Sequence, residues 1–122
     1  MKKILFIEDE AALQKTFGDI LSAEGFQVIS AIDGEVGLRL AKSEKPNLII
    51  LDLILPKLHG LEVLKGLKEN KETKNIPVII LTNLGDLKNI EQALELGATT
   101  YMVKSDYTLD DIIEKVKKAI SS

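Results

Sequence analysis

The residues of this sequence best suited to chemistry each end or directly follow a short apolar run. They are Glu8, Asp9, Asp52, Thr82 and Lys104. Carboxylate oxygens favour hard cations, and Mg²⁺ takes one or two of them, keeps several waters and completes its shell with phosphate oxygens. Asp52 is the candidate nucleophile because carboxylates form aspartyl phosphates. Lys104 and Thr82 would stabilise the oxygens of a transferred phosphoryl group, and Glu8 and Asp9 would hold the metal.

Each of these residues also has an ordinary structural explanation. An acid such as Glu8 or Asp9 can favour the start of the next helix, and threonine is common at strand ends. Taken alone, Lys104 would be interpreted as a solvated lysine. Their joint occurrence at the ends of four predicted strands favours the functional interpretation.

Five short runs, 3–7, 27–31, 48–51, 78–81 and 100–103, are predicted strands. The third and fourth are almost continuously apolar, which is typical of strands buried on both faces. Helical periods lie between them, and the clearest is the final stripe, Leu109, Ile112, Ile113, Val116 and Ile120. The polar stretch 68–75 is interpreted as a solvated loop.

Alternation of strands and helices predicts an α/β fold, a doubly wound parallel sheet in a flavodoxin-like three-layer sandwich. Right-handed crossovers favour the strand order 2-1-3-4-5. Strands one, three, four and five are then consecutive neighbours, so the five chemical residues converge at the carboxyl edge of the sheet.

Composition bounds the function. With 122 residues, the chain is expected to be one domain spanning 1–122, with no room for an output domain. A net charge of -3 argues against direct nucleic-acid binding. No apolar run is long enough for a membrane span, and there are no cysteines, so we expect a cytoplasmic protein that does not bind membranes.

At this point the sequence resembles the receiver domains of bacterial two-component response regulators, and among them the single-domain, chemotaxis-regulator-like type. The likeness runs from about Lys2 to Ile120. It is carried by four motifs, at residues 7–10 (IEDE), 51–60 (LDLILPKLHG), 81–82 (LT) and 97–104 (GATTYMVK).

The resemblance implies that Asp52 accepts a phosphoryl group from a sensor histidine kinase or a histidine phosphotransfer protein. It implies that Asp9, Asp52 and the backbone carbonyl of Ile54 bind Mg²⁺ directly, while Glu8 acts through water. Such a protein catalyses only its own phosphorylation and dephosphorylation, so it is not expected to be an enzyme in the usual sense.

The resemblance also implies an output. Thr82 and Lys104 would move to contact the new phosphoryl oxygens, and Tyr101, the switch aromatic, would turn inward. The altered face of the fourth helix, fifth strand and fifth helix would bind a downstream protein target. The molecule would be a monomer or a phosphorylation-dependent dimer.

Several positions depart from the family pattern. Ser105 stands where proline usually follows the lysine; a cis bond before a non-proline residue costs about 2.5–4 kcal/mol, so we predict a trans bond and an altered loop. Asn83 replaces a small residue after Thr82, and its side chain would crowd or hydrogen-bond near the phosphoryl site. The lone histidine, His59, is predicted to be structural or solvent-facing. Ile54 and Leu84 border the position of the attacking water, so we predict slow self-dephosphorylation.

Three other functions stay open at this stage. An unphosphorylated, receiver-like interaction module is disfavoured because all five site residues are present, but Ser105 and Asn83 keep it open. An aspartyl phosphatase would need an acid two residues after its nucleophile, where this chain has Ile54. A flavin or nucleotide carrier would need a glycine- or hydroxyl-rich phosphate loop after the first strand, where Glu8 and Asp9 stand instead.

Overall fold

A computed structural model describes residues 1–56, 58–83 and 86–121. The chain alternates strands and helices throughout. In order, the elements are β1 (Lys3–Ile7), α1 (Ala11–Ala23), β2 (Gln27–Ala31), α2 (Gly34–Glu44), β3 (Leu48–Asp52), α3 (Gly60–Glu69), β4 (Val78–Thr82), α4 (Leu87–Glu95), β5 (Thr100–Val103) and α5 (Leu109–Ser121).

The five strands form one parallel sheet in the order β2-β1-β3-β4-β5, as predicted. β3 and β4 each run one residue further than predicted, because Asp52 and Thr82 are still paired in the sheet. The two key polar residues therefore lie within the sheet, where strand pairing fixes their backbones.

Two apolar layers sandwich the sheet, because alternate residues of each strand point to opposite faces. On one face, Leu5 and Ile7 of β1 pack with α2, α3 and α4. On the other, Ile4 and Phe6 pack with α1 and α5. Every residue of β3 and β4 is buried, which explains their nearly continuous apolar sequence.

The helix ends follow local sequence signals. Gly25 and Gly97 have φ of 92° and 110°, so each supplies the left-handed conformation that ends the preceding helix. Before α5, Thr108 and Asp111 form a reciprocal cap: the Thr108 N–H donates to Asp111 Oδ2 at 3.0 Å, and the Asp111 N–H donates to Thr108 Oγ1 at 3.2 Å.

The stretch 68–75 is for the most part the predicted solvated connection, with residues 69, 71, 72, 74 and 75 exposed, but it differs in two respects. Residues 68 and 69 belong to α3, and Thr73 is buried, with its hydroxyl donating to the Leu67 carbonyl at 2.6 Å. Lys68 Nζ donates to the carbonyls of Lys74 and Ile76, each at 3.1 Å. Polar side chains of this connection therefore donate hydrogen bonds to its own backbone carbonyls.

Gly60 lets the start of α3 approach the end of β3. A Cβ on Gly60 would lie 2.5 Å from the Asp52 carbonyl oxygen and closer still to Leu53 Cα, and these backbone atoms cannot move aside cheaply. We expect Gly60→Ala to lower the free energy of unfolding by about 2–4 kcal/mol in urea denaturation.

Gly18 provides the matched control for that substitution. It lies within α1, and a Cβ there would meet no atom within 4 Å. Gly18→Ala should therefore raise the free energy of unfolding by about 0.5–1 kcal/mol through helix propensity. Equal effects of the two substitutions would contradict the close approach at Gly60.

None of the helices within the described ranges has both the length and the apolar composition needed to cross a bilayer.

Candidate phosphoryl-acceptor site

Four neighbouring strands bring the predicted residues to one edge of the sheet. Glu8 and Asp9 directly follow β1, Asp52 ends β3, Thr82 ends β4 and Lys104 directly follows β5. Adjacent strand ends are tied together by backbone hydrogen bonds: the Lys104 N–H donates to the Thr82 carbonyl at 2.7 Å, and the Leu53 N–H to the Leu81 carbonyl at 3.2 Å.

The three predicted acids form one cluster. One carboxylate oxygen from each of Glu8, Asp9 and Asp52 lies within 4.8 Å of the others. Glu8 and Asp52 are 0% and 1% exposed, whereas Asp9 is open to solvent. Asp52 is therefore buried at the base of a cleft whose rim carries a further acid.

Lys104 is the cation that faces these buried acids. Its Nζ lies 2.9 Å from Asp52 Oδ2 and 3.3 Å from Glu8 Oε1. The contact with Asp52 is a hydrogen bond, but the Glu8 oxygen has no hydrogen-bond partner of acceptable geometry among the described residues, so that contact is charge attraction alone. Burial acts to lower the pKa of Lys104, but the hydrogen bond and charge of Asp52, aided by Glu8, outweigh it and raise the pKa.

Glu8 carries the largest electrostatic strain in the cluster. Burial raises its pKa from 4.5 to about 7, and the neighbouring Asp52 charge adds to the rise, while the Glu10 N–H and Lys104 oppose it. The Glu10 N–H donates to Glu8 Oε2 at 3.0 Å. Two buried acids thus share one lysine, an arrangement short of positive charge.

The predicted switch residues lie at different depths. Thr82 is 1% exposed, and among the described residues its hydroxyl makes only long contacts of 3.5 Å, to the Asn83 carbonyl and to Asp86 Oδ2. Tyr101 is on the surface of β5, 39% exposed. Ile54 has an exposed side chain, and its N–H donates to Asp52 Oδ1 at 3.1 Å.

Comparison with known proteins identifies this arrangement. The family description "Response regulator receiver domain" matches residues 4–117. The chain belongs to the response-regulator receiver domain family. The resemblance read from the four motifs is thus confirmed, and this is a receiver domain of the two-component signalling type.

Individual relatives agree with that assignment. Sporulation initiation phosphotransferase F of Bacillus subtilis is 36% identical over 117 residues, covering 96% of this chain and 92% of that protein. The alkaline phosphatase synthesis transcriptional regulatory protein PhoP of the same organism is 43% identical over 103 residues, covering 84% of this chain but 42% of that protein. This chain spans about half or less of most curated relatives it matches, for example 52% of one from Porphyridium aerugineum.

Solved structures of receiver domains share the fold of this chain. A response-regulator receiver domain protein from Clostridium thermocellum superposes with a TM-score of 0.90 at 32% identity, covering 99% of this chain and 95% of that chain. The Francisella response regulator 1452 receiver domain gives a TM-score of 0.89 at 26% identity, covering 99% and 98%.

The loop after β5 in this receiver domain is built without the usual proline. No peptide bond in the described part of the chain is cis, so the bond between Lys104 and Ser105 is trans, as predicted. The chain turns instead through a hydrogen bond from the Asp106 N–H to the Val103 carbonyl at 3.0 Å. Tyr107 then anchors the loop, with its ring centroid 5.4 Å from that of Phe17 on α1.

Two other departures have definite places. His59 is exposed and caps α3, its Nδ1 accepting from the Leu61 N–H at 3.1 Å, which confirms the predicted structural role. Asn83 is exposed directly after β4. Leu84 lies outside the described residues.

The donor set of the receiver domain fits a hard divalent cation. Two oxygens on opposite sides of Mg²⁺ lie about 4.2 Å apart, twice the metal–oxygen distance of about 2.1 Å. The three acid oxygens, within 4.8 Å of one another, match this spacing after small movements or with one water between an acid and the ion. Glu8 Oε1, which has no hydrogen-bond partner among the described residues, is an acceptor at the same place.

The strained Glu8 carboxylate makes stability depend on pH when no metal is bound. A folded-state pKa of about 7 against an ordinary 4.5 means that the folded protein binds more protons than the unfolded chain between these values. Stability is therefore lost as pH rises from 4.5 through 7, and Glu8→Gln should recover about 2–3 kcal/mol near pH 8.

The measurement is urea unfolding in a metal chelator, taken across this pH range for wild type and Glu8→Gln. The difference between their free energies of unfolding should grow with pH. Glu114→Gln, at an exposed position of α5, serves as the control and should track wild type. If the difference in free energy of unfolding between wild type and Glu8→Gln did not change with pH, the buried Glu8 carboxylate would not be strained.

Proposed function

We propose that this receiver domain is a phosphorylation-activated switch that accepts a phosphoryl group on Asp52 from a sensor histidine kinase or a histidine phosphotransfer protein. The observation that carries the proposal is the setting of Asp52: a buried carboxylate 2.9 Å from Lys104 and clustered with Glu8 and Asp9. A relative matched over 92% of its own length is called a phosphotransferase, which supports the same chemistry.

In the proposed reaction, an Asp52 carboxylate oxygen attacks the phosphorus of a phosphohistidine. The new O–P bond forms as the P–N bond breaks, and the electron pair of the broken P–N bond leaves with the imidazole nitrogen. Bound Mg²⁺, held by Glu8, Asp9, Asp52 and the Ile54 carbonyl, would supply charge neutralisation for the phosphoryl oxygens. Lys104 orients Asp52 beforehand and can then pair with a phosphoryl oxygen.

The switch follows from the new dianionic group. The contacts of the Thr82 hydroxyl with the described residues are long, at 3.5 Å, and in the proposal the hydroxyl turns toward a phosphoryl oxygen. In the proposal, Tyr101 then turns inward, and the face formed by α4, β5 and α5 binds a downstream protein, either a target or a second receiver. Direct binding to nucleic acid or membranes is not part of the proposal. The single domain over 1–122 and the cytoplasmic location remain predictions.

The test offers acetyl phosphate to the purified protein with Mg²⁺ and, separately, with a chelator. We expect the mass of one phosphoryl group to be added only with Mg²⁺. The adduct should be labile to hydroxylamine, as an acyl phosphate is, and should map to the peptide that contains Asp52. No adduct under any condition would overturn the switch and favour an unphosphorylated interaction module.

Slow self-dephosphorylation is a separate prediction for the phosphorylated state. Ile54 presents an apolar side chain, 51% exposed, beside Asp52, where it would hinder an attacking water. Ile54→Asn should shorten the half-life of the phosphoryl group about 3–10-fold, equal to about 1 kcal/mol of barrier. The mass spectrum is followed after the phosphodonor has been removed.

Leu109→Asn is the control for this experiment, because Leu109 has similar exposure, 53%, but lies on α5. Its decay rate should equal that of wild type. A decay in Ile54→Asn as slow as in wild type would show that apolar cover at this position does not limit hydrolysis.

A further inference from the structure

We infer that Gln14 is a positioning residue for the metal site, fixing the loop between β1 and α1 so that Glu8 and Asp9 face a cation. The inference rests on the proposed function and deepens it. Gln14 lies on α1 and is not one of the acids, the threonine or the lysine that the motifs single out. Its role follows from what its side-chain amide contacts.

The amide nitrogen of Gln14 faces three backbone carbonyls. Nε2 lies 3.0 Å from the Phe6 oxygen, 3.0 Å from the Glu8 oxygen and 3.1 Å from the Ala31 oxygen. Ala31 also accepts the Glu8 N–H at 2.9 Å. One side chain therefore joins the end of β1, the loop that follows it and the end of β2.

The orientation of this amide is fixed by its surroundings. If its oxygen and nitrogen were exchanged, an acceptor would face three acceptors, so only Nε2 can occupy this place. As a result Oε1 is buried and has no hydrogen-bond partner in the described part of the chain. The amide is therefore held by its nitrogen alone, through the contacts to the three carbonyls.

Gln14 fixes the peptide group that joins the two metal ligands. The Glu8 carbonyl belongs to the peptide plane between Glu8 and Asp9, so holding this oxygen sets the direction in which the Asp9 side chain leaves the backbone. At the other end of the loop, the Glu10 N–H holds Glu8 Oε2 at 3.0 Å. Gln14 does this with a neutral donor, so it adds no positive charge that would oppose a cation.

The test measures Mg²⁺ binding directly, by calorimetry, alongside thermal stability. Gln14→Met keeps the length of the side chain and removes both the donor and the unpartnered oxygen. We expect its Mg²⁺ dissociation constant to rise about 5–30-fold, the effect typical of losing support behind a metal ligand. The phosphorylation rate by acetyl phosphate at saturating Mg²⁺ should stay within about threefold of wild type, because Asp52 and Lys104 are untouched.

Gln92→Met is the matched control, since Gln92 is an exposed glutamine on α4. It should bind Mg²⁺ as wild type does. A merely structural Gln14 would shift the melting temperature of Gln14→Met and leave its Mg²⁺ dissociation constant unchanged, and that result would overturn the inference. A wild-type protein that binds no Mg²⁺ would instead overturn the proposed function, and the inference with it.

Gln14→Lys keeps the proposal testable if Gln14→Met does not fold. An ammonium offers three donors to the three carbonyls and leaves no unpartnered acceptor. The loop should stay in place, so Mg²⁺ should bind more weakly than to wild type through charge repulsion, and about 0.5 M salt should recover part of this loss. A loss of Mg²⁺ affinity that is the same at low and high salt would overturn the inference.

Discussion

Replacing Asp52 with asparagine is expected to abolish phosphoryl uptake from acetyl phosphate completely while leaving the protein folded. The amide of asparagine is not a nucleophile that forms an acyl phosphate, and Glu8 and Asp9 both approach from the end of β1, not from that of β3. The mass spectrum of Asp52→Asn should therefore show no adduct under conditions that fully modify wild type.

The same substitution should change the response to metal. Asp52 is buried beside Glu8, so its removal leaves Lys104 facing one buried carboxylate instead of two. In a chelator the variant should be about as stable as wild type or up to about 1 kcal/mol more stable, because relieved repulsion is offset by the loss of one acceptor for the Ile54 N–H or Lys104. Saturating Mg²⁺ should stabilise it much less, since one ligand is missing.

Asp19→Asn provides the control. Asp19 also pairs with a lysine, at 3.1 Å, but in an exposed i,i+4 pair on α1. This variant should accept the phosphoryl group and respond to Mg²⁺ as wild type does, with a stability change below about 0.5 kcal/mol. An adduct on Asp52→Asn that maps to another acid would overturn Asp52 as the acceptor.

The sheet and its edge were predictable because they depend on a repeating pattern. Continuous apolar runs give buried parallel strands, and the polar residue that ends each run must lie at the carboxyl edge. Asp52 and Thr82 follow this rule directly. What the pattern does not contain is the depth of each residue: Glu8 is fully buried while the adjacent Asp9 is exposed.

The role of Gln14 was not visible in the sequence, because it depends on contacts between residues that are far apart along the chain. Its amide contacts carbonyls from β1 and β2, and backbone carbonyls carry no sequence signal. The same reason explains what the predicted solvated connection at 68–75 missed: Thr73 and Lys68 are polar in sequence but donate hydrogen bonds to backbone carbonyls in the fold. The apolar stripe of α5 also overstates burial at Leu109, which is 53% exposed.

The second large effect is expected at Lys104, where methionine would keep most of the side-chain volume and remove the charge. Glu8 and Asp52 would then be buried with no lysine between them. Breaking a buried ion pair from one side typically costs about 3–5 kcal/mol; because the Lys104 side chain keeps 20% exposure, we expect about 2–4 kcal/mol near pH 8 without metal. Phosphoryl uptake should slow as well, since no ammonium would pair with the transferred oxygens.

Both pH and metal should reverse the loss of stability in Lys104→Met. Lys104 acts to lower the pKa of Glu8, so without the lysine that pKa is raised further, and the folded variant takes up protons that the unfolded chain does not bind. Its deficit relative to wild type should therefore shrink as pH falls from about 8 toward 5, and Mg²⁺ should restore stability at high pH by replacing the lost charge. Urea unfolding at several pH values, with and without Mg²⁺, measures both effects.

Lys117→Met tests whether the loss of stability in Lys104→Met comes from the burial of the ion pair or from its short distance. Lys117 Nζ lies 2.9 Å from Glu24 Oε1, the same separation as in the pair of Lys104 with Asp52, but its side chain is 58% exposed. Losing this pair should cost less than about 1 kcal/mol and show no response to Mg²⁺. The two lysine variants could lose equal stability, or the deficit of Lys104→Met could be independent of pH and Mg²⁺. Either result would show that the buried acids do not need the charge of Lys104, and would contradict the role given to this lysine.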